Sequence, residues 1–213
     1  MKKVFKTKEE WLEFRCNKIT ATRLVALMGL SSYKTNVDVY ELIVGIQKEN
    51  DTQENERMKM GAEIEKHIRG MFITRHPEYE LIKQQDNEYV FFVDDEYDYI
   101  GTSCDGEVVH KETNEQGLLE IKYFEGYSNS KKFTKDSIRD DCYAQLVHEI
   151  RTAKKDFGWF IVALNYNDMV VLREYYVRAE NCKEDMEVTL NVCKEFYNKY
   201  VVTKTRPPLA MSF

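Results

Sequence analysis

The segment from Gly117 to Tyr123 most strongly constrains how this chain folds. Successive side chains of a β-strand alternate between the two faces of a sheet, so Glu120 and Lys122 share one face with Leu118. Leu119 and the alternate residues after it point to the other face, which can bury against a helix. Because the charged face also carries a leucine, it is not simply exposed to solvent. The segment therefore predicts a strand inside a sheet that is flanked by helices.

A neighbouring strand is predicted from Ser103 to His110, joined to the first by a polar turn at Glu112–Gln116. Two strands joined in this way form a hairpin, and the hairpin brings Asp105 towards Glu120 and Lys122. The pattern thus gathers two carboxylates and one ammonium group in one part of the sheet.

Helical and strand patterns follow one another along the whole chain. Helices are predicted at Trp11–Arg15, from the N-cap Thr20 to Met28, and at Val37–Val44, Arg57–Arg75, Asp136–Ala153 and Asn181–Tyr200; further strands are predicted at Tyr89–Val93, Tyr97–Gly101, Trp159–Asn165 and Met169–Val177. This order favours an α/β or α+β protein with one mixed sheet flanked by helices. At 213 residues, 43% of them hydrophobic, we expect a single domain over 1–213 with a C-terminal helix at about 181–200.

Composition excludes several classes of protein. No apolar run approaches the roughly 20 residues of a membrane span, and the charged N-terminus lacks the apolar region of a signal peptide. We therefore expect no membrane association and a cytoplasmic location. The five cysteines show no C-x-x-C spacing, so we expect free thiols packed as small apolar groups.

The net charge of −6 argues against a nucleic-acid partner until its distribution is considered. The stretch Asp86–Asp98 holds six acidic residues and no Lys or Arg, so the rest of the chain is balanced. We expect this stretch to face outward or to contact a partner. Basic clusters lie elsewhere, and each is either a solvated face or part of a groove that meets phosphates; they are Lys2, Lys3, Lys6 and Lys8; Lys131, Lys132, Lys135 and Arg139; Arg151, Lys154 and Lys155; and Lys199, Lys204 and Arg206.

The converging charges of the hairpin suit phosphodiester hydrolysis. Carboxylate oxygens of Asp105 and Glu120 are hard ligands of the kind that Mg²⁺ or Mn²⁺ prefers. A bound metal polarises a phosphate and acidifies a water, and a nearby Lys122 can orient that water and stabilise negative charge. A cross-strand salt bridge on a half-exposed sheet is the alternative interpretation of the same three residues.

This hairpin resembles the core motif of the PD-(D/E)XK nuclease superfamily, and the chain is similar to the phage lambda exonuclease family, also called YqaJ-like viral recombinases. The similarity spans about Trp11 to Tyr176, and several stretches agree with the family motifs in chain order: Trp11 to Arg15, Ile19 to Thr22, Ser31 to Thr35, Gly61 to Glu65, Cys142 to Leu146 and Trp159 to Tyr166.

The resemblance implies roles for individual residues. Asp105 and Glu120 would be metal ligands, helped by the backbone carbonyl of Ile121, and Lys122 would assist the attacking water. The remaining implied roles are completion of the metal shell by Glu65, support of the active site and phosphate by Gln145, binding of a terminal phosphate by Arg15 and Thr22, and contact with the DNA backbone by Ser103.

Helical spacing bears on two of these residues. Met60, Ile64, Ile68 and Met71 form the predicted buried stripe of their helix, with Glu65 on one flank and Glu63 on the other, so Glu63 remains an alternative carboxylate. Gln145 falls on the inward face of its helix, where a buried amide needs partners, and it either supports the site or bonds to the sheet. His148 is predicted on the outer side of that helix.

The chain departs from the family pattern at three places. Cys104 replaces the proline that usually precedes the first aspartate, and Thr22 stands where serine is common. After Lys122 the chain has Tyr123 and Phe124 in place of Cys-Pro and a following DNA-contacting arginine. For Arg15, a surface ion pair with a neighbouring glutamate is the alternative to phosphate binding.

The resemblance implies an Mg²⁺-dependent deoxyribonuclease that degrades linear duplex DNA from a 5′ end, for a phage single-strand annealing protein in the cytoplasm of a bacterial host. Members of the family are often homo-trimers around DNA. A restriction or repair endonuclease with the same fold is one alternative, and a catalytically silent DNA-binding relative is another.

Overall fold

The computed structural model describes residues 1–48, 56–82, 88–125, 133–134, 136–166 and 169–210. Several features of the sequence lie outside the described part. They are the side chains of Met60 and Glu63, the residues Asp86, Lys131, Lys132 and Lys135, positions 167–168 between the last two predicted strands, and positions 49–55 between two predicted helices.

Helices form where the sequence predicts them. They are α1 (Lys8–Arg15), α2 (Ala21–Leu27), α3 (Asn36–Ile43), α4 (Glu56–Arg75), α5 (Asp140–Ala153) and α6 (Lys183–Phe196), the last continued by a π-helical turn at Tyr197–Val201. Local chemistry fixes several ends. Thr35 and Asp38 form a reciprocal capping box at the start of α3, and Gly29 and Gly45 adopt the positive φ angles that end α2 and α3.

The strands form two sheets. They are β1 (Lys2–Phe5), β2 (Tyr79–Leu81), β3 (Tyr89–Val93), β4 (Gly101–Thr102), β5 (Gly106–His110), β6 (Gln116–Glu125), β7 (Phe157–Tyr166) and β8 (Met169–Arg178). A small antiparallel sheet has the order β1-β3-β4, and a mixed sheet has the order β2-β5-β6-β7-β8. The only parallel pair among these strands is β6 with β7, and α5 makes the crossover between them.

The central strands β6 and β7 are buried on both faces, as the Gly117–Tyr123 pattern predicts. Leu119 and Ile121 pack with Phe72 of α4 in one core cluster. On the other face, Leu118 packs with Leu146 of α5 in a second cluster. The prediction of a mixed sheet flanked by helices is confirmed.

The prediction of a strand at Tyr97–Gly101 is wrong over most of its length, because the chain turns there. The carboxylate of Asp94 accepts hydrogen bonds from the backbone amides of Glu96 and Tyr97, both at 3.0 Å, and only Gly101 continues into β4. Asp94 is itself buried and accepts a hydrogen bond from Arg151 at 2.7 Å. The expectation that the whole acidic stretch faces outward is therefore wrong at Asp94.

Two side-chain positions differ from the helical periodicity. His148 is buried at 1% exposure, with its ring nitrogen Nε2 3.3 Å from the carbonyl oxygen of Gly101, so it does not lie on an outer face. The small sheet covers that side of α5, which leaves the helix with apolar and polar neighbours almost all round. On α4, Phe72 rather than Met71 continues the buried stripe, because Met71 is half-exposed.

All five cysteines are free thiols, and Cys142, Cys182 and Cys193 are buried. The helices of the described residues include none whose length and apolar character would let it cross a bilayer.

Candidate active site

The floor of the site is the hairpin of β5 and β6. Asp105 immediately precedes β5, and its backbone amide donates to the carbonyl oxygen of Leu119 at 3.0 Å, so the ladder extends one residue beyond the strand. The Asp105 carboxylate accepts a hydrogen bond from the backbone amide of Ile121 at 2.7 Å. This bond fixes the carboxylate over β6, beside Glu120 and Lys122.

Glu120 and Lys122 form an ion pair along one strand rather than across two. The ammonium Nζ of Lys122 lies 2.5 Å from the carboxylate Oε1 of Glu120. Glu120 is buried, whereas a third of the Lys122 side chain is exposed to the cleft above it. A cross-strand salt bridge on a half-exposed sheet does not describe this arrangement.

Helix α5 contributes an amide with a fixed orientation. The side-chain nitrogen of Gln145 donates to Oε1 of Glu120 at 2.5 Å and to Oε1 of Glu149 at 2.9 Å. Both amide hydrogens are thereby used, which leaves the amide oxygen of Gln145 as its remaining polar atom. The buried amide has the partners that it requires, and one of them is a carboxylate of the hairpin.

Helix α4 brings a carboxylate and a guanidinium group to the other side of Asp105. The guanidinium of Arg69 donates to the backbone carbonyl of Asp105 at 2.7 Å. Glu65 precedes Arg69 by four residues, so both project from the same side of the helix. Burial, together with the nearby charge of Asp105, raises the pKa of Glu65 to about 7.

Burial raises the pKa of every carboxyl group of the site, and for all but Asp105 a neighbouring carboxylate raises it further. Burial, then the charge of Asp105, raises the pKa of Glu120 to about 7. Burial also raises the pKa of Asp105, and burial with the charge of Glu120 raises that of Glu149 well above its ordinary value. Although burial lowers the pKa of Lys122, the charges of Glu120 and Asp105 outweigh it and raise that pKa, so Lys122 is an ammonium ion.

This crowding fits a site for a divalent cation. Four carboxyl groups surround one ammonium group, and oxygen ligands are those that Mg²⁺ and Mn²⁺ prefer. Within the part of the chain that the structure describes, no three His, Cys, Asp or Glu side chains already form a metal cluster. Glu120 instead faces Lys122 and Gln145, so its carboxylate oxygen has protein partners.

A small pocket of about 160 Å³ adjoins the carboxylates, and its lining includes Arg15, Thr22 and Ser103 together with Asp105 and Glu120. The structure thus brings the three predicted DNA-binding residues to the same side of the hairpin. The pocket has room for a phosphate-sized group and offers it a guanidinium group and two hydroxyl groups.

Two buried arrangements hold Arg15 in place. Its guanidinium carbon lies 4.4 Å from the ring centroid of Trp11, within the range of a cation–π contact. The turn after α1 is held by Arg23, whose nitrogen Nη1 donates to the carbonyl oxygens of Arg15, Cys16 and Lys18 at 3.2, 2.7 and 2.6 Å.

Glu149 and Arg69 are two residues of the site that the sequence motifs do not predict. Each lies four residues after a predicted site residue on the same helix, Glu149 after Gln145 and Arg69 after Glu65. That spacing places side chains side by side on one helical face, and it is the signal that could have identified both. Glu149 is fully buried, and its oxygen Oε2 has no hydrogen-bond partner among the described residues.

Comparisons with known proteins give a family and a fold. A family model described as the YqaJ-like viral recombinase domain matches residues 10–156, more than half of the chain. A comparison with curated proteins found no match.

Solved structures share the fold at low sequence identity. An alkaline exonuclease from Laribacter hongkongensis gives a TM-score of 0.65 at 17% identity, over 92% of this chain and 96% of that one. Its complex with dAMP gives 0.62 at 17% identity, over 92% and 99%. A phage related exonuclease from Haemophilus somnus 129PT gives 0.52 at 11% identity, over 92% and 100%.

Proposed function

Because this chain belongs to the YqaJ-like viral recombinase family, we propose that it is a metal-dependent deoxyribonuclease that degrades linear duplex DNA from a 5′ end. The observation that carries the proposal is the convergence of Asp105, Glu120 and Lys122 in one part of the β5–β6 hairpin, where carboxyl groups outnumber ammonium groups. The structural neighbours, which are two exonucleases and a complex of one of them with dAMP, support the same reaction.

The donor set proposed for the metal is Asp105, Glu120, the backbone carbonyl of Ile121 and Glu65. We propose Mg²⁺ as the resident ion, with Mn²⁺ able to substitute. When bound, such an ion supplies positive charge that polarises a phosphodiester and lowers the pKa of a water molecule. Glu65 is preferred to Glu63 because its half-buried side chain faces the charge of Asp105.

The residues around this donor set act on water and phosphate. Lys122 is an ammonium ion, so it cannot accept a proton; it orients the attacking water and stabilises negative charge on the phosphate oxygens. Water attacks phosphorus, the bond from phosphorus to the 3′ oxygen breaks, and the shortened strand keeps a 5′ phosphate. Gln145 holds Glu120 in position through the hydrogen bond that its side-chain nitrogen donates.

Arg15, Thr22 and Ser103 are the proposed binding groups for the 5′ phosphate of the strand end. A guanidinium group pairs with phosphate in two parallel hydrogen bonds, and the hydroxyl groups accept and donate around it. Each cut creates a new 5′ phosphate of the same chemistry, which can enter the same pocket. An endonuclease has no use for such a pocket, so this geometry favours action at ends.

The proposed location, partner protein and oligomeric state rest on membership of the family and not on distances in the structure. We propose a single nuclease domain over 1–213 that acts in the cytoplasm of a bacterial host cell, in phage-type recombination. The exposed single strand would be passed to a phage annealing protein. A homo-trimer around the duplex would keep the enzyme on its substrate.

Three DNA substrates test the reaction: linear duplex with a 5′ phosphate, the same duplex without it, and a closed circle, each with Mg²⁺. We expect degradation of the phosphorylated linear DNA only, and loss of that activity in Lys122→Ala. Lys183→Ala, which removes an exposed lysine at the start of α6, serves as the matched control and should keep full activity.

The other outcomes identify the alternatives. Cleavage of the circle would contradict the exonuclease and indicate an endonuclease with this fold. A folded chain that cuts none of the three substrates and binds no Mn²⁺ in isothermal titration would indicate a silent DNA-binding relative.

A further inference from the structure

A second cleft adjoins the Arg15 pocket at Lys122 and Gln145. It has a volume of about 450 Å³, and Thr22, Lys122 and Gln145 line both the cleft and the pocket. Nothing in the proposed reaction uses it. We refer to this space as the side cleft.

One wall of the side cleft is the loop between α2 and α3, which presents an aromatic ring. Tyr33 is 94% exposed, an unusual state for a large aromatic side chain. The loop around it is ordered, because the hydroxyl oxygen of Ser31 accepts hydrogen bonds from the backbone amides of Tyr33 and Lys34 at 3.2 and 3.1 Å. The ring of Tyr33 therefore lines the cleft and is carried by an ordered backbone.

The facing wall has planar groups whose polar atoms are largely occupied. The guanidinium carbon of Arg139 lies 5.5 Å from the ring centroid of Phe124. Its nitrogens Nε and Nη2 both donate to the carboxylate of Asp141, so this pair of groups is bonded through two parallel hydrogen bonds. This wall thus offers flat stacking surfaces and few free groups for reading the edge of a base.

The two cavities adjoin at Thr22, Lys122 and Gln145, and their sizes differ. A strand whose terminal phosphate is bound near Arg15 and whose next phosphate lies at Asp105 and Lys122 can therefore extend into the side cleft. The small pocket suits a phosphate, whereas the side cleft has room for a base with its sugar. Bases of every sequence share a flat π-face, so a stacking site suits an enzyme that removes nucleotides of any sequence.

We infer that the side cleft binds the nucleobase of the second nucleotide from the 5′ end, stacked against Tyr33 while the first phosphodiester lies over the catalytic residues. This inference rests on the proposed function, because it takes the strand polarity and the terminal phosphate pocket from it. It adds a base-binding site and names Tyr33 as the residue that supplies the stacking surface.

A binding cycle tests the inference. The DNA is a duplex with a two-nucleotide 5′-phosphorylated tail whose second position carries either a base or an abasic sugar; the tail removes any effect of base pairing. Dissociation constants are measured by fluorescence anisotropy with Ca²⁺ in place of Mg²⁺, for the wild type, Tyr33→Ala and Tyr33→Phe. Single-turnover cleavage with Mg²⁺ is measured on the same molecules.

We expect loss of the base to weaken binding to the wild type about tenfold, the scale of one stacked base. Tyr33→Ala should weaken binding of the intact tail by the same factor and be indifferent to the abasic sugar, while Tyr33→Phe should behave as the wild type. An abasic tail that binds the wild type normally would overturn the inference. It would also be overturned if loss of the base and Tyr33→Ala each weakened binding and the two factors multiplied when combined.

The two proposals fail separately. Cleavage of linear DNA without coupling between Tyr33 and the base would overturn the side-cleft inference alone. Coupling in the Ca²⁺ binding assay without any cleavage in Mg²⁺ would support the side cleft and overturn the nuclease. Absence of both coupling and cleavage would overturn both.

Discussion

Glu107 and Glu120 are buried glutamates on the same face of one hairpin, but the charges that surround them differ. Their exposed fractions are 2% and 3%. Glu107 lies opposite Leu118 in the β5–β6 register, and Glu120 follows two residues later, so the two side chains point the same way. One belongs to the junction of the two sheets and the other to the proposed active site.

The surroundings of the two glutamates differ in charge balance. Glu107 is bonded by the ammonium groups of Lys2 and Lys155, the latter at 2.9 Å. Burial would raise its pKa, but these two hydrogen bonds outweigh burial and lower it. Glu120 shares one ammonium group with other carboxyl groups, and its pKa rises to about 7.

Burial alone therefore does not distinguish a functional carboxylate from a structural one in this protein. Glu107 has its charge balanced by two ammonium groups, whereas Glu120, a proposed metal ligand, shares one ammonium group with other carboxyl groups. Replacing each glutamate should accordingly change different properties.

Glu120→Gln should have the largest effect, and on activity. Removing a ligand charge should lower the single-turnover cleavage rate about a thousandfold, the scale of losing one preorganised electrostatic group. The free energy of unfolding in urea should change by less than about 1 kcal/mol, because Asp105 still balances Lys122. A variant that cleaves normally would contradict the role assigned to Glu120.

Glu107→Gln should have the opposite profile. It leaves Lys155 buried with its charge uncompensated, which should cost about 3 kcal/mol of unfolding free energy in urea titrations. Cleavage should stay within about twofold of the wild type when measured well below the unfolding midpoint. Glu115→Gln, which removes a surface partner of Arg178, should cost less than about 1 kcal/mol.

If Glu107→Gln abolished cleavage while its stability stayed unchanged, the division between structural and functional carboxylates would be wrong. If both glutamate variants lost stability equally, charge balance would not be what separates the two regions.

The pH dependence of stability tests the part that His148 plays at the junction of the two sheets. Burial lowers the pKa of His148 to about 4, below its ordinary 6.5. The unfolded chain binds the proton at higher pH than the folded chain, so this contribution to stability is complete above pH 6.5. It is lost as the pH falls from about 6.5 to 4, by about 2–3 kcal/mol.

The measurement compares urea unfolding of the wild type and His148→Gln at pH 7 and pH 4.5. The variant should lose less stability than the wild type over this interval, whereas His67→Gln, at an exposed position of α4, should lose as much as the wild type. Equal losses in all three proteins would show that His148 does not remain neutral in the fold.

Glu149→Gln should have the smallest of these effects, on the active-site side. Gln145 would lose its carboxylate acceptor and hold Glu120 less firmly, which should lower kcat about tenfold with KM unchanged. Because the replaced carboxyl group is buried with an unbonded oxygen, stability should not fall. A higher KM at constant kcat would indicate that Glu149 affects DNA binding instead.

The sequence predicted the parts of the fold that depend on local pattern. The alternation around Glu120 predicted a strand buried on both faces, and the helices were found close to their predicted ends. Strand β1 was missed because its pairing with β3 joins residues about 90 positions apart, and no local pattern records that pairing. His148 was misplaced because α5 is buried almost all round, so its polar side chains are buried as well as its apolar ones.

The sequence predicted residues of the site, but it did not predict the contacts that these residues make. The resemblance named Asp105, Glu120 and Gln145, and the structure brings them together. The role of Glu149 depends on the direction of one amide, and Asp94 is buried because a turn carries it to Arg151. Both facts arise from packing between distant segments, which spacing within one segment does not encode.

The ion pairs of Glu107 with Lys2 and Lys155 join segments that are made at very different times during synthesis. About 150 residues separate Lys2 from Lys155, and a ribosome needs roughly 10–30 s to add them. Glu107 thus has only one of its two ammonium partners until Lys155 is made, and β6 waits for β7. A nascent chain that has exposed Asp105 and Glu120 is still without Gln145, so the proposed catalytic set is completed late in translation.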